Sequence, residues 1–502
     1  MPAWPARRLP AGSAQPSPKR RRHAVSGGSL ATRPGNSSLA TPQGNSSAAG
    51  SSSSRPRLQA SAPPEPLAQG QRIDIPASTA AAIKSWAPVA LKWCRDQAQK
   101  HGLRPPAAGQ VMKIGTDCSG LDAPVLAMKA MGFQVEHLFS SEIVSWKRDY
   151  IRLNSSPKTA IFQDMLRREH ESLPQCDVYC CGFSCKPFSK LHNRSKLFRE
   201  KEARVFFGAV RTIRAMLPPV AILENVDGIR KVMTRVKKEL KGLGHYAIVV
   251  CHIDPRDAGE PVSRPRTYFV LVRLDLLVVP RCKLQEVVAD ILGNSVGAAA
   301  VPLESRLLPA GCGLLSRFTA PANPRSKTNR GGKWQGTVRL EPRVPLSSPI
   351  VGVSGRAAAT LEATVAKLGL QDLPPQNIDV LQSMGRCRFT DVVPTITPGA
   401  KIVIGCRRRL LHPIEMLLLN GIPVGELTWP SSFQGRHFAD MAGNTMHCMA
   451  APSLAVDWGR RQVPRGTAGF FRDRPAASHT WRLLSGVPGR ECECCQMLPV
   501  CV

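Results

Sequence analysis

A cysteine with the surroundings of a nucleophile lies in the segment Gly182-Phe-Ser-Cys185-Lys-Pro-Phe-Ser189. Cys185 follows a predicted buried strand, and a glycine and a proline bracket it, as expected for a loop that holds a side chain outside regular structure. Lys186 and Lys190 would favour the thiolate, which is the reactive form of cysteine. The alternative is a buried structural cysteine, which is the commoner role of this residue type.

A carboxylate and two arginines follow further along the chain. Glu224 lies near the end of an apolar strand, where partial desolvation would raise its pKa and suit it to share a proton. Arg264 and Arg266 are two apart in an extended segment, so both side chains point the same way and could hold a phosphate or a carbonyl oxygen. A capping role for Glu224 and a solvated loop around the arginines are the alternatives.

Three features at successive strand ends indicate an adenosine-containing cofactor. The turn Gly115-Thr-Asp117-Cys118-Ser119-Gly120 joins a strand to a helix, and its small residues let a ligand approach the backbone. Glu142, at the end of the next strand, suits a pair of ribose hydroxyls. Asp164, at the end of the strand after that, could accept a hydrogen bond from an adenine amino group. For either acid alone, a helix N-cap is an equally good interpretation.

The elements that must position these residues alternate between short apolar runs and longer amphipathic ones. This alternation predicts an α/β fold with a mostly parallel sheet and helices on both faces. Residues 78–101 have the spacing of a helix, which Pro88 either kinks or divides in two. The predicted strands are 111–117, 135–142, 160–164, 177–183, 220–226, 246–254 and 267–274, and the predicted helices between them include 123–131, 203–216 and 229–240.

Taken in order, these motifs resemble those of the cytosine C5 DNA methyltransferase family. The segment around Cys185 is similar to the nucleophile motif, Glu224-Asn225-Val226 to the Glu-Asn-Val motif, and Arg264-Pro-Arg266 to the Arg-x-Arg pair. Two later segments also resemble family motifs, and these are Arg409-Leu-Leu-His-Pro413-Ile-Glu415 with Asn420-Gly421-Ile-Pro423, and Ala442-Gly443-Asn444-Thr445-Met446. The resemblance covers residues 111–275 and 400–452.

The resemblance implies a Rossmann-like S-adenosylmethionine-dependent methyltransferase sheet with a smaller, irregular target-recognition domain. It implies that Cys185 adds to C6 of a cytosine flipped out of the nucleic acid, after which C5 takes the methyl group. Glu224 would contact the N3 edge of the base and Arg266 its O2, with Arg264 in support. The cofactor would be S-adenosylmethionine, held by Cys118, Ser119, Gly120, Glu142, Asp164, Asn444 and Thr445. No metal is expected.

The sequence also departs from the family pattern. Ser184 and Lys186 stand where the family usually has proline and glutamine around the nucleophile, and Val262 replaces the glutamine before the arginine pair. Asp122 stands where a second glycine is common, and Asp117 lies about one residue from the family's acidic position. Because the nucleophile, the carboxylate and the arginines remain, the resemblance still favours an active enzyme.

Composition sets the domain organisation and the class of partner. The net charge is +32, which favours a polyanion such as DNA, with charge in disordered tails as the alternative. The chain has no run of eighteen apolar residues, which predicts no membrane span. We expect a disordered basic tail (1–75), a helical lead-in (76–110), a catalytic domain (111–275), a target-recognition region (276–400), a return to the catalytic domain (401–458) and a disordered tail (459–502).

Location and two other functions are open at this point. The basic run Lys19-Arg-Arg-Arg22 in a flexible tail is typical of a nuclear-import signal, with a chance basic run as an equal alternative. The Arg- and Ser-rich N-terminus also allows an organelle transit peptide. The 16 cysteines, without a secretory context, are interpreted as reduced thiols, and the cluster between Cys492 and Cys501 as part of a floppy tail. A tRNA cytosine C5 methyltransferase and a catalytically inactive nucleic-acid-binding scaffold are the two other functions that the sequence allows.

Overall fold

A seven-stranded sheet carries the predicted chemistry in this structure, a computed structural model that describes residues 69–103, 111–189, 197–292, 300–318, 345–353, 355–381 and 387–448. Lys190, the basic run at 19–22 and the C-terminal cysteines lie outside the described residues. The strands of the sheet are β2 (Val111–Asp117), β3 (Gln134–Ser141), β4 (Ala160–Phe162), β5 (Val178–Gly182), β6 (Val220–Val226), β7 (Tyr246–Ile253) and β8 (Arg266–Arg273).

The sheet has the order β4-β3-β2-β5-β6-β8-β7. The first five strands in this order are parallel, whereas β8 runs antiparallel to both β6 and β7. The α/β prediction of a mostly parallel sheet is therefore confirmed, with a reversed strand at one side that the sequence pattern did not predict. The reversal brings the start of β8, and with it Arg266, to the edge where β6 ends.

Helices cover both faces of the sheet, because strand residues alternate between two apolar clusters. Ile114, Cys180 and Ile222 belong to one cluster, and Tyr179 and Leu223 to the other. Helices α5 (Arg204–Met216) and α6 (Met233–Lys241) contribute to the second cluster. The first cluster receives side chains from α2 (Trp86–Lys100), α3 (Ala123–Ala130), α4 (Ser145–Asn154), α7 (Leu284–Leu292), α9 (Pro413–Leu418) and α10 (Gly435–Asn444).

The predicted helix over 78–101 is two helices, α1 (Ala77–Lys84) and α2, which meet at Ser85. Pro88 lies in the first turn of α2, where the missing N–H has no helical partner to lose, so it starts a second helix rather than kinking one. Before α1, strand β1 (Gly70–Arg72) pairs antiparallel with β12 (Thr428–Pro430). This pairing attaches the N-terminal part of the described chain to a segment that lies far along the sequence.

Two other predicted elements differ slightly from the structure at their ends. Strand β4 stops at Phe162, two residues short of the predicted end at Asp164. The helix predicted over 229–240 begins as the 3-10 segment Asp227–Val232 and becomes α-helical only in α6. Element ends are decided by capping and packing, which a hydrophobic period does not encode.

The region 276–400 contains more regular structure than its loop-rich sequence indicates. It includes α7, the helix α8 (Arg356–Lys367) and the strand β9 (Asn377–Asp379). Helix α7 packs against α2 and β7. Strand β9 pairs with β10 (Ile402–Ile404), which in turn pairs with β11 (Arg409–Leu410). Contacts therefore cross the predicted domain boundaries at 276 and 401, because apolar faces on both sides of each boundary share a core.

None of the helices in the described part of the chain combines the length and the apolar character needed to cross a bilayer.

Candidate active site

Three neighbouring strands bring the predicted site residues to one edge of the sheet. Strands β2, β5 and β6 are adjacent and parallel, so the turn at Cys118, the loop at Cys185 and the side chain of Glu224 all follow or lie at carboxyl ends. Ligands of such sheets bind outside these ends. The sequence-predicted residues therefore meet where the topology provides a binding edge.

The loop that carries Cys185 is fastened on both sides of the cysteine. Before it, the buried Asn225 side chain donates a hydrogen bond to the carbonyl of Phe183 (2.9 Å). After it, the backbone N–H groups of Phe188 and Ser189 each donate to the carbonyl of Cys185 (2.9 Å). The rings of Phe183 and Phe188 pack edge to face, 6.1 Å apart, and both side chains are buried. These contacts give the cysteine a defined position without a proline at Ser184.

Glu224 forms an ion pair with Arg266 at the same edge. The Arg266 Nε lies 3.0 Å from the Glu224 Oε1, and the side chains are 10% and 12% exposed. Burial raises the pKa of the Glu224 carboxyl above its ordinary value, and the positive charges of Arg266 and Arg264 partly oppose that rise. A carboxyl of this kind can hold a proton closer to neutral pH than a solvated one.

Arg264 has a different environment from Arg266. Its guanidinium donates hydrogen bonds to the carbonyls of Ile396 (2.9 Å), Gly443 (3.0 Å) and Thr445. Burial lowers the Arg264 pKa to about 9, and the charge of Arg266 adds to this effect. The alternative of a solvated loop is therefore wrong for both arginines, because each is buried. Arg264 holds main-chain carbonyl oxygens of the late segment against the start of β8.

The charges around Cys185 differ from those expected. Burial raises the pKa of the Cys185 thiol, and the negative charge of Glu224 raises it further. Arg266 and then Arg264 are the main cations that oppose this rise, whereas the sequence pointed to Lys186 and Lys190. Lys186 is exposed, where water screens its charge. The net effect keeps the free thiol protonated, so a proton must leave Cys185 before it can attack.

The turn after β2 is joined to the end of β3 by Glu142. Its buried carboxylate accepts hydrogen bonds from the backbone N–H of Gly120 (2.9 Å) and of Val144 (2.9 Å). Gly120 has a φ of +54°, and Cys118 a φ of +53°. Glu142 is therefore not the N-cap of α4, which is Val144, but it fastens the turn after β2, and its oxygens retain lone pairs for a further donor.

A partly open cleft lies beside this turn. Four of the predicted cofactor residues line it, namely Cys118, Ser119, Asn444 and Thr445, and so does Glu224. The Thr445 Oγ1 is buried and has no hydrogen-bond partner among the residues that the structure describes. Its polar lining and the unsatisfied Thr445 hydroxyl offer hydrogen-bonding groups to a polar ligand such as a nucleoside.

Gly120, Glu142 and Asp164 do not line the cleft directly. Gly120 and Glu142 form the hydrogen bond beside it described above. The Asp164 carboxylate accepts from the backbone N–H of Leu166 (2.9 Å) and lies 3.5 Å from Arg167 Nε. Asp164 therefore caps its own turn, and it is half-buried rather than enclosed.

The departure at Asp122 has a structural reason. Asp122 adopts a φ of +53°, a conformation that glycine adopts without strain and that aspartate tolerates better than most residues. Its buried carboxylate accepts hydrogen bonds from the hydroxyls of Thr116 (2.7 Å) and Ser140 (3.3 Å). These bonds tie the start of α3 to β2 and β3 and offset the strain of the left-handed backbone.

The segment from Arg409 to Pro423 holds in place helix α10, which ends at Asn444 and is followed by Thr445. Glu415 is fully buried and receives both terminal nitrogens of Arg409 (2.7 and 2.6 Å). His412 caps the first turn of α9, where Glu415 completes a capping box. The Asn420 side chain donates to the carbonyl of Ala442 in α10 (3.2 Å). Through these contacts α9 fixes α10 and the cleft residues that follow.

Two residues near the cleft were not predicted to act there. Arg168 binds the carboxylate of Asp117 through both terminal nitrogens, and the hydroxyl of Tyr179 donates to the same carboxylate (2.6 Å). No local sequence pattern marks this cluster, because Arg168 lies 51 residues beyond Asp117.

A thiol, a carboxyl and a guanidinium thus lie together at the carboxyl edge of a Rossmann-like sheet, beside a polar cleft. A family model described as C-5 cytosine-specific DNA methylase matches residues 115–455. That match covers more than half of the chain, and the chain belongs to this family of cytosine methyltransferases.

Named relatives match over shorter segments. DNA (cytosine-5-)-methyltransferase DMT5 of Cryptococcus neoformans is 28% identical over 185 residues, which cover 32% of this chain and 8% of that protein. Type II methyltransferase M.HhaI of Haemophilus parahaemolyticus is 26% identical over 163 residues, covering 32% of this chain and 48% of that protein. The matches thus span less than half the length of these relatives. The crystal structure of S. pombe Dnmt2 methyltransferase has a TM-score of 0.44 and 15% identity, covering 69% of this chain and 97% of that one.

Proposed function

We propose that this protein methylates C5 of a cytosine flipped out of DNA, with S-adenosylmethionine as the methyl donor and Cys185 as the nucleophile. The observation that carries the proposal is the buried cluster of Glu224 and Arg266 acting on the Cys185 thiol, next to a cleft with the features of a cofactor site. The altered residues Ser184 and Lys186 do not remove any member of this cluster.

The raised pKa values of the Cys185 thiol and the Glu224 carboxyl suggest how protons move in the first step. The Cys185 thiol loses its proton, and its sulfur forms a bond to C6 of the base. The electron pair of the C5–C6 double bond moves towards N3, which takes a proton from Glu224. A carboxyl whose pKa is raised by burial suits this role, because it can be protonated when the base arrives and ionised afterwards.

Arg266 is placed to act on the base as well as on Glu224. In the proposed complex its guanidinium contacts the O2 of cytosine, where negative charge develops during attack at C6. Arg264 supports it by fastening the start of β8 to the carbonyls of Gly443 and Thr445. Extruding the base from the duplex costs a few kcal/mol, which contacts of this kind must offset.

S-adenosylmethionine would supply an electrophilic methyl group at the same edge. The residues proposed to hold it are the turn at Cys118, Ser119 and Gly120, the carboxylates of Glu142 and Asp164, and the late residues Asn444 and Thr445. As C5 takes the methyl group, N3 would return its proton to Glu224. C5 would then give its proton to water, the Cys185 thiolate would leave C6, and reprotonation of the thiolate from water would restore the free enzyme.

The remaining assignments follow from this function. We propose that residues 276–400 take part in target recognition and that the excess positive charge serves DNA binding. A nuclear location follows from a DNA substrate and fits the fungal DNA methyltransferases among the relatives.

The test is methyl transfer from labelled S-adenosylmethionine to duplex DNA and, in parallel, to tRNA. Cys185→Ala should abolish labelling, whereas Cys251→Ala, which removes a buried thiol from β7 away from the cluster, should retain it. DNA or RNA carrying 5-fluorocytosine should form a covalent complex with the unsubstituted protein, because the fluorine cannot leave C5 as a proton does.

Each alternative function has its own outcome. Labelling of tRNA alone would retain the mechanism and replace DNA by tRNA as the substrate. Cofactor binding without labelling or covalent trapping of either polymer would reject catalysis and favour a nucleic-acid-binding scaffold.

A further inference from the structure

The ion pair between Asp117 and Arg168 lies at the wall of the candidate cofactor cleft, which Asp117 helps to line, and it has no part in the steps above. Arg168 Nη1 is 2.7 Å from Asp117 Oδ1, and Nη2 is 2.6 Å from Oδ2. The Arg168 side chain is 3% exposed and that of Asp117 is 0% exposed. Tyr179 donates a third hydrogen bond to the same carboxylate (2.6 Å).

The guanidinium of Arg168 is also held from its other sides. Its Nη1 donates to the hydroxyl of Ser141 (2.5 Å), and its Nη2 to the hydroxyl of Thr212 (3.0 Å). Its central carbon lies 5.1 Å from the ring centroid of Phe139 and 5.2 Å from that of Phe162. Stacked and hydrogen-bonded in this way, the guanidinium can occupy only one position.

The two partners belong to different cofactor-binding elements. Asp117 is the last residue of β2 and directly precedes the turn at Cys118 and Ser119, which lines the cleft. Arg168 lies four residues after Asp164, in the segment that follows β4. Strand β3 separates β2 from β4 in the sheet, so no backbone ladder joins these two ends. The ion pair spans that gap.

We propose that Arg168 is a positioning residue that sets the separation between the turn at Cys118 and the segment at Asp164, and with it the affinity for S-adenosylmethionine. The inference rests on the proposed function. It also explains Asp117, which stands beside the family's acidic position: its carboxylate does not meet the ligand but receives Arg168.

The test uses the full chain and three substitutions of graded severity. Arg168→Lys keeps the charge but loses the paired geometry, Asp117→Asn keeps the shape but loses the charge, and Tyr179→Phe removes one hydrogen bond. The readouts are the KM for S-adenosylmethionine, kcat at saturating cofactor, and the Kd for S-adenosylhomocysteine from calorimetry.

The matched control is a second buried ion pair, Arg306–Glu260, whose side chains are 1% and 2% exposed. Arg306→Lys makes the same chemical change away from the cofactor cleft. The melting temperature of Arg306→Lys therefore measures how much stability is lost when a buried, paired arginine is replaced, without a change at the cleft.

We expect Arg168→Lys to raise both the KM and the Kd by about 10- to 100-fold while kcat changes by less than about threefold, because misplaced binding elements lose affinity. Tyr179→Phe should shift both constants in the same direction by less. Arg306→Lys should lower the melting temperature without changing the Kd.

Equal Kd values for the unsubstituted protein and for Arg168→Lys, with melting temperatures lowered as in Arg306→Lys, would overturn the inference and leave the proposed function intact. Failure of the unsubstituted protein to bind S-adenosylhomocysteine would overturn both. Should Arg168→Lys not fold, Tyr179→Phe decides, because an unchanged Kd in that variant rejects the positioning role.

Discussion

Arg266 Nε lies 3.0 Å from Glu224 Oε1, and this ion pair is nearly buried beside Cys185. The two acidic groups beside Arg266, the Glu224 carboxyl and the Cys185 thiol, must be in opposite protonation states for the proposed reaction. The carboxyl must hold a proton for the base, and the thiol must lose one. Because Arg266 lowers the pKa of both groups while burial raises both, the arginine sets the balance between them.

The first prediction is a bell-shaped dependence of kcat/KM on pH. The active form carries one proton on Glu224 and none on Cys185, so activity falls when both groups are protonated and when neither is. The acid limb should lie above the ordinary pKa of a glutamate, and the alkaline limb above that of a cysteine, because burial raises both pKa values.

The variant Glu224→Gln shows which limb of the pH dependence arises from the Glu224 carboxyl. The amide does not titrate, so only the Cys185 thiolate must be populated in the variant. The variant should therefore lose the fall in rate at alkaline pH, and its rate should rise with pH through the raised pKa of Cys185 to a lower maximum. A fall in rate at alkaline pH that persists in Glu224→Gln would assign that limb to another group. The measurement is the initial rate of methyl transfer at limiting DNA across the pH range.

The second prediction distinguishes the two arginines. Arg264→Met removes the donor from the carbonyls of Ile396, Gly443 and Thr445, and each buried acceptor left without a partner costs about 1–3 kcal/mol. Unfolding in urea should show a stability loss of about 3 kcal/mol or more for this variant.

Arg266→Met should act mainly on the rate. Glu224 can take up a proton when its cation is removed, which limits the loss of stability, but the charge that faces the base is gone. We expect kcat/KM to fall by at least about 100-fold with a smaller change in unfolding free energy than in Arg264→Met. Equal effects of the two substitutions on both quantities would contradict this division of roles.

The third prediction concerns Gly443, which precedes the cleft residue Asn444. A Cβ at this position would lie 2.1 Å from the backbone nitrogen of Pro398. This atom can move away only if the backbone around Pro398 moves with it. Gly443→Ala should therefore lower the unfolding free energy by about 1–3 kcal/mol and raise the Kd for S-adenosylhomocysteine. Gly399→Ala is the matched control, because an added Cβ there meets nothing within 4 Å.

The fourth prediction is a loss of stability in mild acid that depends on His447. Burial lowers the pKa of this histidine to about 4, and its ring Nε2 contacts the carbonyl of Leu419 at 3.0 Å. The unfolded chain takes up a proton below pH about 6.5, whereas the folded protein does not until pH about 4. Stability is thus complete above pH about 6.5 and falls by roughly 3 kcal/mol towards pH 4.

His447→Gln retains a donor for Leu419 and removes the titration. Urea unfolding between pH 4 and pH 7.5 should show a shallower slope for the variant than for the unsubstituted protein. A slope that the substitution leaves unchanged would mean that other groups control acid stability.

Much of the sheet was predictable because its strands are continuous apolar runs. The predicted bounds of β2 and β6 agree with the structure, and the other five strands differ by one or two residues at their ends. The antiparallel direction of β8 was not predictable from periodicity, because a period of two residues is the same in both directions. Direction follows from the connection and the packing.

The site residues, like the strands, could be predicted from the sequence only in part. Cys185 and Glu224 could be located because they lie just beyond or near the carboxyl ends of predicted strands, which parallel strands bring to one edge. Arg266 instead lies at the start of β8, and only the unpredicted reversal of that strand brings it to the same edge. The partners of Arg264 and of Asp117 could not be located, since carbonyls of Gly443 and Thr445 and the side chain of Arg168 are chosen by tertiary packing. The roles given to the cofactor residues stay predictions until a ligand is bound.

The pairing of β1 with β12 has a consequence for synthesis of the protein. Gln71 in β1 hydrogen-bonds to Pro430 across 359 residues of sequence. At about 5–20 residues per second, the ribosome needs roughly 20–70 s to make the intervening chain. During that interval the first strand has no native partner, and the cleft lacks Asn444 and Thr445. The native partner of β1 and the complete cleft lining therefore become available only after translation has passed residues 428–445.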